Sequence, residues 1–206
     1  MCCRFARFVT LSVCLAVVVG WGCSRRPARL HPPGINASAA GSLAMKQYDS
    51  DGDGKVAGDE LAKAPSLKQA LQNLDLNGDG AVSANEVTAR IKNWQQTKLG
   101  RMSLSCTVNK GGEPLEGATV TFEPEKFLGD EIQPASGVTD QFGMVPVSVP
   151  TTGREDPPGI APGLYLIRIT KEGVDIPAKF NTETVLGQEI SLDAADIQGG
   201  LVYDVD

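Results

Sequence analysis

Two short runs concentrate oxygen-bearing side chains in this 206-residue chain. In the first, Asp49, Asp51 and Asp53 stand at alternate positions, Gly54 follows, and Glu60 closes the run. The second repeats the plan with Asp75, Asn77, Asp79, Gly80 and Glu86, beginning 26 residues after the first. Side-chain oxygens at positions 1, 3 and 5, a glycine turn at 6, a main-chain carbonyl at 7 and a bidentate carboxylate at 12 can enclose one hard cation. Calcium takes about six to eight such oxygens. Position 7 is Lys55 in one run and Ala81 in the other, each offering its carbonyl; position 9 is Ala57 or Ser83, and the Ser83 hydroxyl can hold a water. Val56 and Val82 share position 8, where an aliphatic side chain points into the interface of a pair. A single run of this kind also occurs as a plain polar turn. Two with the same closing Glu and the same Val make two calcium ions the expected occupants.

The runs Asp49–Glu60 and Asp75–Glu86 resemble EF-hand calcium loops. The flanks fit that resemblance: residues 41–48 can form a short incoming helix and 84–99 a longer outgoing one. Leu61, Leu67, Leu71 and Leu74 recur at helical spacing around Pro65. Pro65 is expected to separate the outgoing helix of the first hand from the incoming helix of the second, with Ser66 as a cap. Val87, Ile91, Trp94 and the leucines then form a small core shared by both hands. The short interval is similar to compact EF-hand pairs of secreted bacterial proteins. Dockerins also use tandem loops of this type but close them with Asp and space them differently, so dockerin-like adhesion is a lesser alternative. Loop 49–60 has four acidic ligands against three in loop 75–86, and is expected to bind calcium more tightly.

The N-terminus carries an address. Arg4 and Arg7 precede an apolar run over residues 8–19, and small residues lead to Cys23, the order of an export signal over residues 1–22. The run is shorter than the about 20 apolar residues of a membrane helix. Gly22-Cys23 resembles a bacterial lipoprotein box, although Gly20 stands where that family prefers an aliphatic residue. The resemblance implies lipidation of Cys23 and a membrane anchor at the cell envelope; ordinary cleavage with a free Cys23, or an uncleaved anchor, are the alternatives. Residues 23–42 show no apolar period and read as a flexible tether. His31, the single histidine, lies in it and is assigned no catalytic or metal role. Loss of the signal with Arg4 and Arg7 takes the formal net charge from −6 to −8, which argues against nucleic-acid binding. Cys106 is the one cysteine beyond residue 23, so the body has no internal disulfide. It lies in an apparent strand and is expected to be a small buried residue rather than a reactive thiol.

From residue 102 the pattern changes to short alternating segments bounded by Gly and Pro: 104–109, 118–123, 145–149, 164–170, 189–192 and 201–205. The expected fold is therefore α+β and multidomain, a small α-helical EF-hand pair over 43–99 followed by an antiparallel β-sandwich over 102–206. Residues 108–122, the Thr139-Asp140-Gln141-Phe142-Gly143 turn and the Gly163–Ile169 segment resemble the carboxypeptidase regulatory-like, or transthyretin-like, domains of exported bacterial proteins. The resemblance implies a structural or protein-contact module with an unidentified partner and says little about activity. Asp130, Glu131, Glu155 and Asp156 fall in Gly/Pro-rich connections and read as solvated charge. No nucleophile elbow, phosphate loop or Cys/His pair stands in the body, so no enzyme is expected. Two readings stay open: a calcium-dependent surface binding or scaffold protein, and a constitutive structural lipoprotein whose calcium staples the fold. A ligand carried on an exposed aromatic cluster finds little support, with only Tyr165 and Tyr203 as tyrosines in this half.

Overall fold

The computed structural model describes residues 30–151 and 157–206. The expected signal at 1–22, Cys23 and the loop carboxylates Glu155 and Asp156 lie outside the described residues. The chain is α+β: a small helical region is followed by a β-rich region of mostly antiparallel strands. The helical region runs α1 (Ala37–Tyr48), β1 (Lys55–Val56), α2 (Gly58–Ala62), α3 (Pro65–Gln69), α4 (Leu71–Leu74), β2 (Val82–Ser83) and α5 (Ala84–Gln96). Then come β3 (Leu104–Lys110), β4 (Glu113–Pro114), β5 (Thr119–Pro124), β6 (Ala135–Val138), β7 (Met144–Val147), β8 (Gly163–Thr170), β9 (Gly187–Ile190), α6 (Ala195–Gln198) and β10 (Leu201–Asp204).

Three local expectations are corrected. The flexible tether expected over 23–42 cannot extend that far, because Asn36 caps α1 by accepting from the Ala39 N–H at 3.1 Å. Ile35 is already buried, and the Gln95 amide donates to its carbonyl at 2.8 Å. The helix expected over 41–48 thus begins four residues earlier, a start hidden because its packing face consists of Ala37, Ala40, Gly41 and Ala44, too small to register as an apolar stripe. Small residues let α1 lie directly on α5; a Cβ at Gly41 would sit 2.3 Å from the Ala84 carbonyl oxygen. Second, Pro65 opens α3, but Ala64 holds the cap position and Ser66 is fully buried, its hydroxyl turned toward the β region. Third, the incoming segment of the second hand is not one helix but breaks at Ala70 into α3 and α4.

One sheet places β3 between β10 and the pair β4 and β7; the other has the order β6-β5-β8-β9. Across the second sheet Val120 pairs with Ile169 and Phe122 with Ile167, so period-2 alternation puts these four on one inner face. All four are completely buried. One pairing departs from the antiparallel expectation: β10 runs parallel to β3, with Tyr203 opposite Val108. The chain reaches β10 from the opposite sheet through α6, and such a crossover delivers a parallel strand. Strand β6 was not foreseen, since Gly137 and the following Thr-Asp turn make it look like a loop. That glycine is required inside the sheet, where a Cβ would meet the Pro146 carbonyl at 2.4 Å.

The helical region covers the outer face of β8 and β9. Leu164 and Glu189 are register partners on that face and are buried to 0% and 1% exposure, although the opposite face already packs on the sandwich core. A strand covered on both sides loses its polar alternation, which is why Gln188, Glu189 and Ile190 are all buried. The apolar cluster is continuous from Ala40 and Trp94 in the helices to Tyr165 and Val205 in the sheets. Contact is closest at Gly187, where a Cβ would lie 2.2 Å from the Pro65 carbonyl carbon and the Ser66 nitrogen, both backbone atoms.

Gly187→Ala is therefore expected to force α3 off β9 and lower unfolding free energy by about 2 kcal/mol, the scale of overpacking; urea denaturation measures it. Cys106 is buried, and burial pushes its thiol up to about 12. In residues 24–206 at pH 8 it should stay protonated and unreactive toward a thiol reagent, and react fully in denaturant, as a thiol titrating near its ordinary value would.

Candidate metal centre

Both loops use the same internal scaffold. In loop 49–60 the Asp49 carboxylate accepts the Gly52 N–H at 2.7 Å and the Gly54 N–H at 2.9 Å, so its two oxygens organise the turn. Asp51 accepts from the Asp53 N–H at 3.1 Å and Asp53 from the Lys55 N–H at 2.8 Å. Loop 75–86 repeats each bond: Asp75 with Gly78 at 2.7 Å and Gly80 at 2.8 Å, Asn77 with Asp79 at 2.9 Å, and Asp79 with Ala81 at 3.0 Å. Gly54 and Gly80 take φ of +88° and +76°, a left-handed conformation that a side chain resists, which accounts for glycine at position 6.

The closing glutamates are also held alike. Glu60 accepts from the Ser50 N–H at 2.6 Å, the Ser50 hydroxyl at 2.8 Å and the Ala57 N–H at 3.2 Å. The Ser50 bonds hold its carboxyl below the usual range. Glu86 accepts from the Leu76 N–H at 3.1 Å and from both the N–H and hydroxyl of Ser83 at 2.8 Å. Ser83 thus caps α5, its hydroxyl directed to Glu86. Between the loops, β1 and β2 pair Val56 with Val82, and both valines are fully buried. The side chains at position 8 therefore meet in the pair interface.

One oxygen each of Asp49, Asp51 and Asp53 lie within 4.8 Å of one another. Calcium–oxygen distances of about 2.3–2.6 Å put ligands around one ion no more than about 5 Å apart, so this donor set fits calcium. Asp49, Asp51, Asp53 and Glu60, with the Lys55 carbonyl, would hold an ion in the first loop. Asp75, Asn77, Asp79 and Glu86, with the Ala81 carbonyl, would do so in the second. The loops are not electrically independent. The Lys55 ammonium lies 2.5 Å from the Asp79 carboxylate, so a residue of the first loop neutralises a ligand of the second. That contact lowers the Asp79 carboxyl and raises the Lys55 ammonium from their ordinary values.

Sequence reasoning missed the residues that fix these loops to the β region. Glu125, after β5, is 1% exposed and accepts from the Ser66 hydroxyl at 2.5 Å, the Tyr48 hydroxyl at 2.9 and 3.0 Å and the Gln47 amide at 3.3 Å. Burial raises its carboxyl from the ordinary value, against the opposing pull of those donors. Glu189, equally buried, accepts from Arg90 Nε at 2.5 Å, Asn73 at 2.7 Å and Trp94 Nε1 at 2.9 Å. Arg90 also forks onto Asp193 with two bonds of 2.8 Å. One signal was available: Arg90 lies on the same helix face as Val87, Ile91 and Trp94, and a guanidinium in an apolar stripe needs a carboxylate opposite it. The other carboxylates singled out in sequence, Asp130 and Glu131, are exposed.

The EF hand family model matches residues 67–89, spanning the second loop and the start of α5. No curated protein and no solved structure matches the chain. The EF hand match and the Asp49, Asp51, Asp53 cluster together point to calcium binding.

Lys55→Met removes the competitor for Asp79 and should strengthen calcium binding at the second loop by up to about fivefold, given the 0–1 kcal/mol of an exposed ion pair. A calcium titration following the amide resonance of Gly80 measures it.

Proposed function

We propose that this protein is an exported, lipid-anchored, non-catalytic calcium-binding protein in which two calcium ions, one per loop, staple the helical region onto a transthyretin-like β-sandwich. The observation that carries the staple reading is the packing of α3 on β8 and β9 within one continuous apolar cluster, with Arg90 and Trp94 of α5 bonded to Glu189 of β9. Calcium sensors act by swinging helices apart to expose an apolar groove. Here the corresponding face is already covered by the protein's own sheet, with the completely buried Leu67 and Leu164 and the nearly buried Glu189 at the seam. Constitutive occupancy suits an exported site, since affinities of about 10⁻⁴–10⁻³ M suffice in extracellular modules. Asymmetric loading, with the first loop tighter, is supported by its fourth acidic ligand and by the Lys55 contact on Asp79.

Export and lipidation rest on the sequence order ahead of Cys23. Support for a short anchor comes from Leu30, which already packs on the body, its atoms within 3 Å of a Cβ built at Gly100. Helices α1 and α5 pack together with α1 leading into the first loop and α5 leading out of the second. The calcium loops therefore lie at the end of this helix pair away from Ile35, by the roughly 18 Å length of α1 at about 1.5 Å per residue. A scaffold role toward a separate partner is the second reading, favoured by the exposed Phe142, Met144 and Val202 of the β region.

Calorimetric titration of residues 24–206 with calcium, paired with circular dichroism, tests the proposal. Two binding events with little change in helix content and a raised Tm are expected. A large helical gain would instead favour a switch, and no binding at millimolar calcium would overturn the calcium reading.

A further inference from the structure

We infer that Glu125 and Glu189 are positioning residues for calcium: the β region holds the loops open to the ion through two buried carboxylates, Glu189 gripping both ends of the second loop and Glu125 tying the incoming end of the first to the segment that joins the hands. This rests on the reading that the loops bind calcium. The pairing is selective. Glu125 receives Gln47 and Tyr48, the two residues directly before Asp49, and Ser66 from α3, which joins the outgoing helix of that hand to the second hand. Glu189 receives Asn73, two residues before Asp75, together with Arg90 and Trp94, one and two turns beyond Glu86. The side chains donating to the Glu189 carboxylate flank only the second loop, whereas those donating to Glu125 are the two residues directly before the first loop and Ser66 in the segment that joins the hands.

The consequence is geometric. Chelation needs positions 1 and 12 of a loop at a fixed separation, and those positions sit at the ends of the incoming and outgoing segments. A shared anchor on both segments sets that separation before the ion arrives and removes part of the ordering cost of binding. The segments cannot do this for themselves: α2, α3 and α4 have five, five and four residues, too short to be rigid alone. The anchors can, because both are 1% exposed and tied to the sheet: Glu189 lies in β9, and Glu125, directly after β5, donates its N–H to the Leu164 carbonyl of β8 at 2.9 Å. Withdrawn from water, each bond is stronger and its loss leaves buried donors without a partner. Glu189 is further fixed by its own N–H, which donates to Gln69 at 2.8 Å.

The test is site-resolved calcium titration of residues 24–206, which contain every described residue, following the amide resonances of Gly54 and Gly80 by NMR. Glu189→Gln should weaken binding at the second loop by about tenfold and change the first by less than about threefold; Glu125→Gln should do the reverse, within the range of coupling between linked sites. Asn73→Ala and Gln47→Ala repeat the comparison without altering the buried charge, and decide it if a Gln variant fails to fold. Unfolding in the presence of a chelator reports the stability change without metal. Equal weakening of both loops by either substitution, or lowered stability with both affinities intact, overturns the inference. If the unsubstituted chain binds no calcium at either loop, the calcium reading itself fails and this inference with it.

Discussion

Two carboxylates buried between helices and sheet set the terms for the rest of this molecule. An ionised carboxylate taken out of water is costly unless hydrogen-bond donors replace its hydration. Glu125 and Glu189 therefore require donors from whatever packs over them. The donors come from α1, α3, α4 and α5, so satisfying two glutamates fixes four helices relative to one sheet. Apolar contact supplies most of the adhesion at this seam, but it is non-directional and would tolerate sliding. The charged bonds do not, and Arg90 shows why: its planar guanidinium meets Glu189 and Asp193 at once, in an orientation that lysine could not reproduce.

That constraint explains how such a small helical region keeps its shape. Its only long helices are α1 and α5, which touch along a face of small residues, and the remaining turns are too short to persist in isolation. They are held instead by the buried valine pair between the loops on one side and by β8 and β9 on the other. The sandwich gains in return. The outer face of β9 would otherwise expose Gly187 and Glu189 at a sheet edge, where unpaired strands invite association; the helices cover it.

At the loops the dominant problem is mutual repulsion among acidic side chains, with oxygens of Asp49, Asp51 and Asp53 brought within 4.8 Å of one another. Backbone N–H groups meet part of it by donating into Asp49, Asp75, Glu60 and Glu86. Lys55 meets another part from the neighbouring loop. A divalent cation would complete what these donors begin, which is the electrostatic reason that the loops are built of carboxylates at all.

The sequence by itself determined the local features. Spacing alone located both loops, their glycines at position 6 and their valines at position 8, because a twelve-residue chelating turn is specified by residues adjacent in the chain. Alternation located most strands of the β region, including Gly163–Thr170 as observed β8, for the same reason. Tertiary structure decided what depends on distant partners. Helix α1 was expected only over residues 41–48, and its first turn read as part of a tether of Ala, Ser and Gly, because its stability comes from close approach to α5 and not from an apolar stripe. Ser66 looked like a cap and became a donor to Glu125, 59 residues away. Strand β10 pairs in parallel with β3 because the chain changes sheets before it, a matter of topology that no local pattern encodes. Above all, nothing local in the sequence marks Glu125 and Glu189, since burial is a property of what folds over a residue and is settled only when helices and sheet meet.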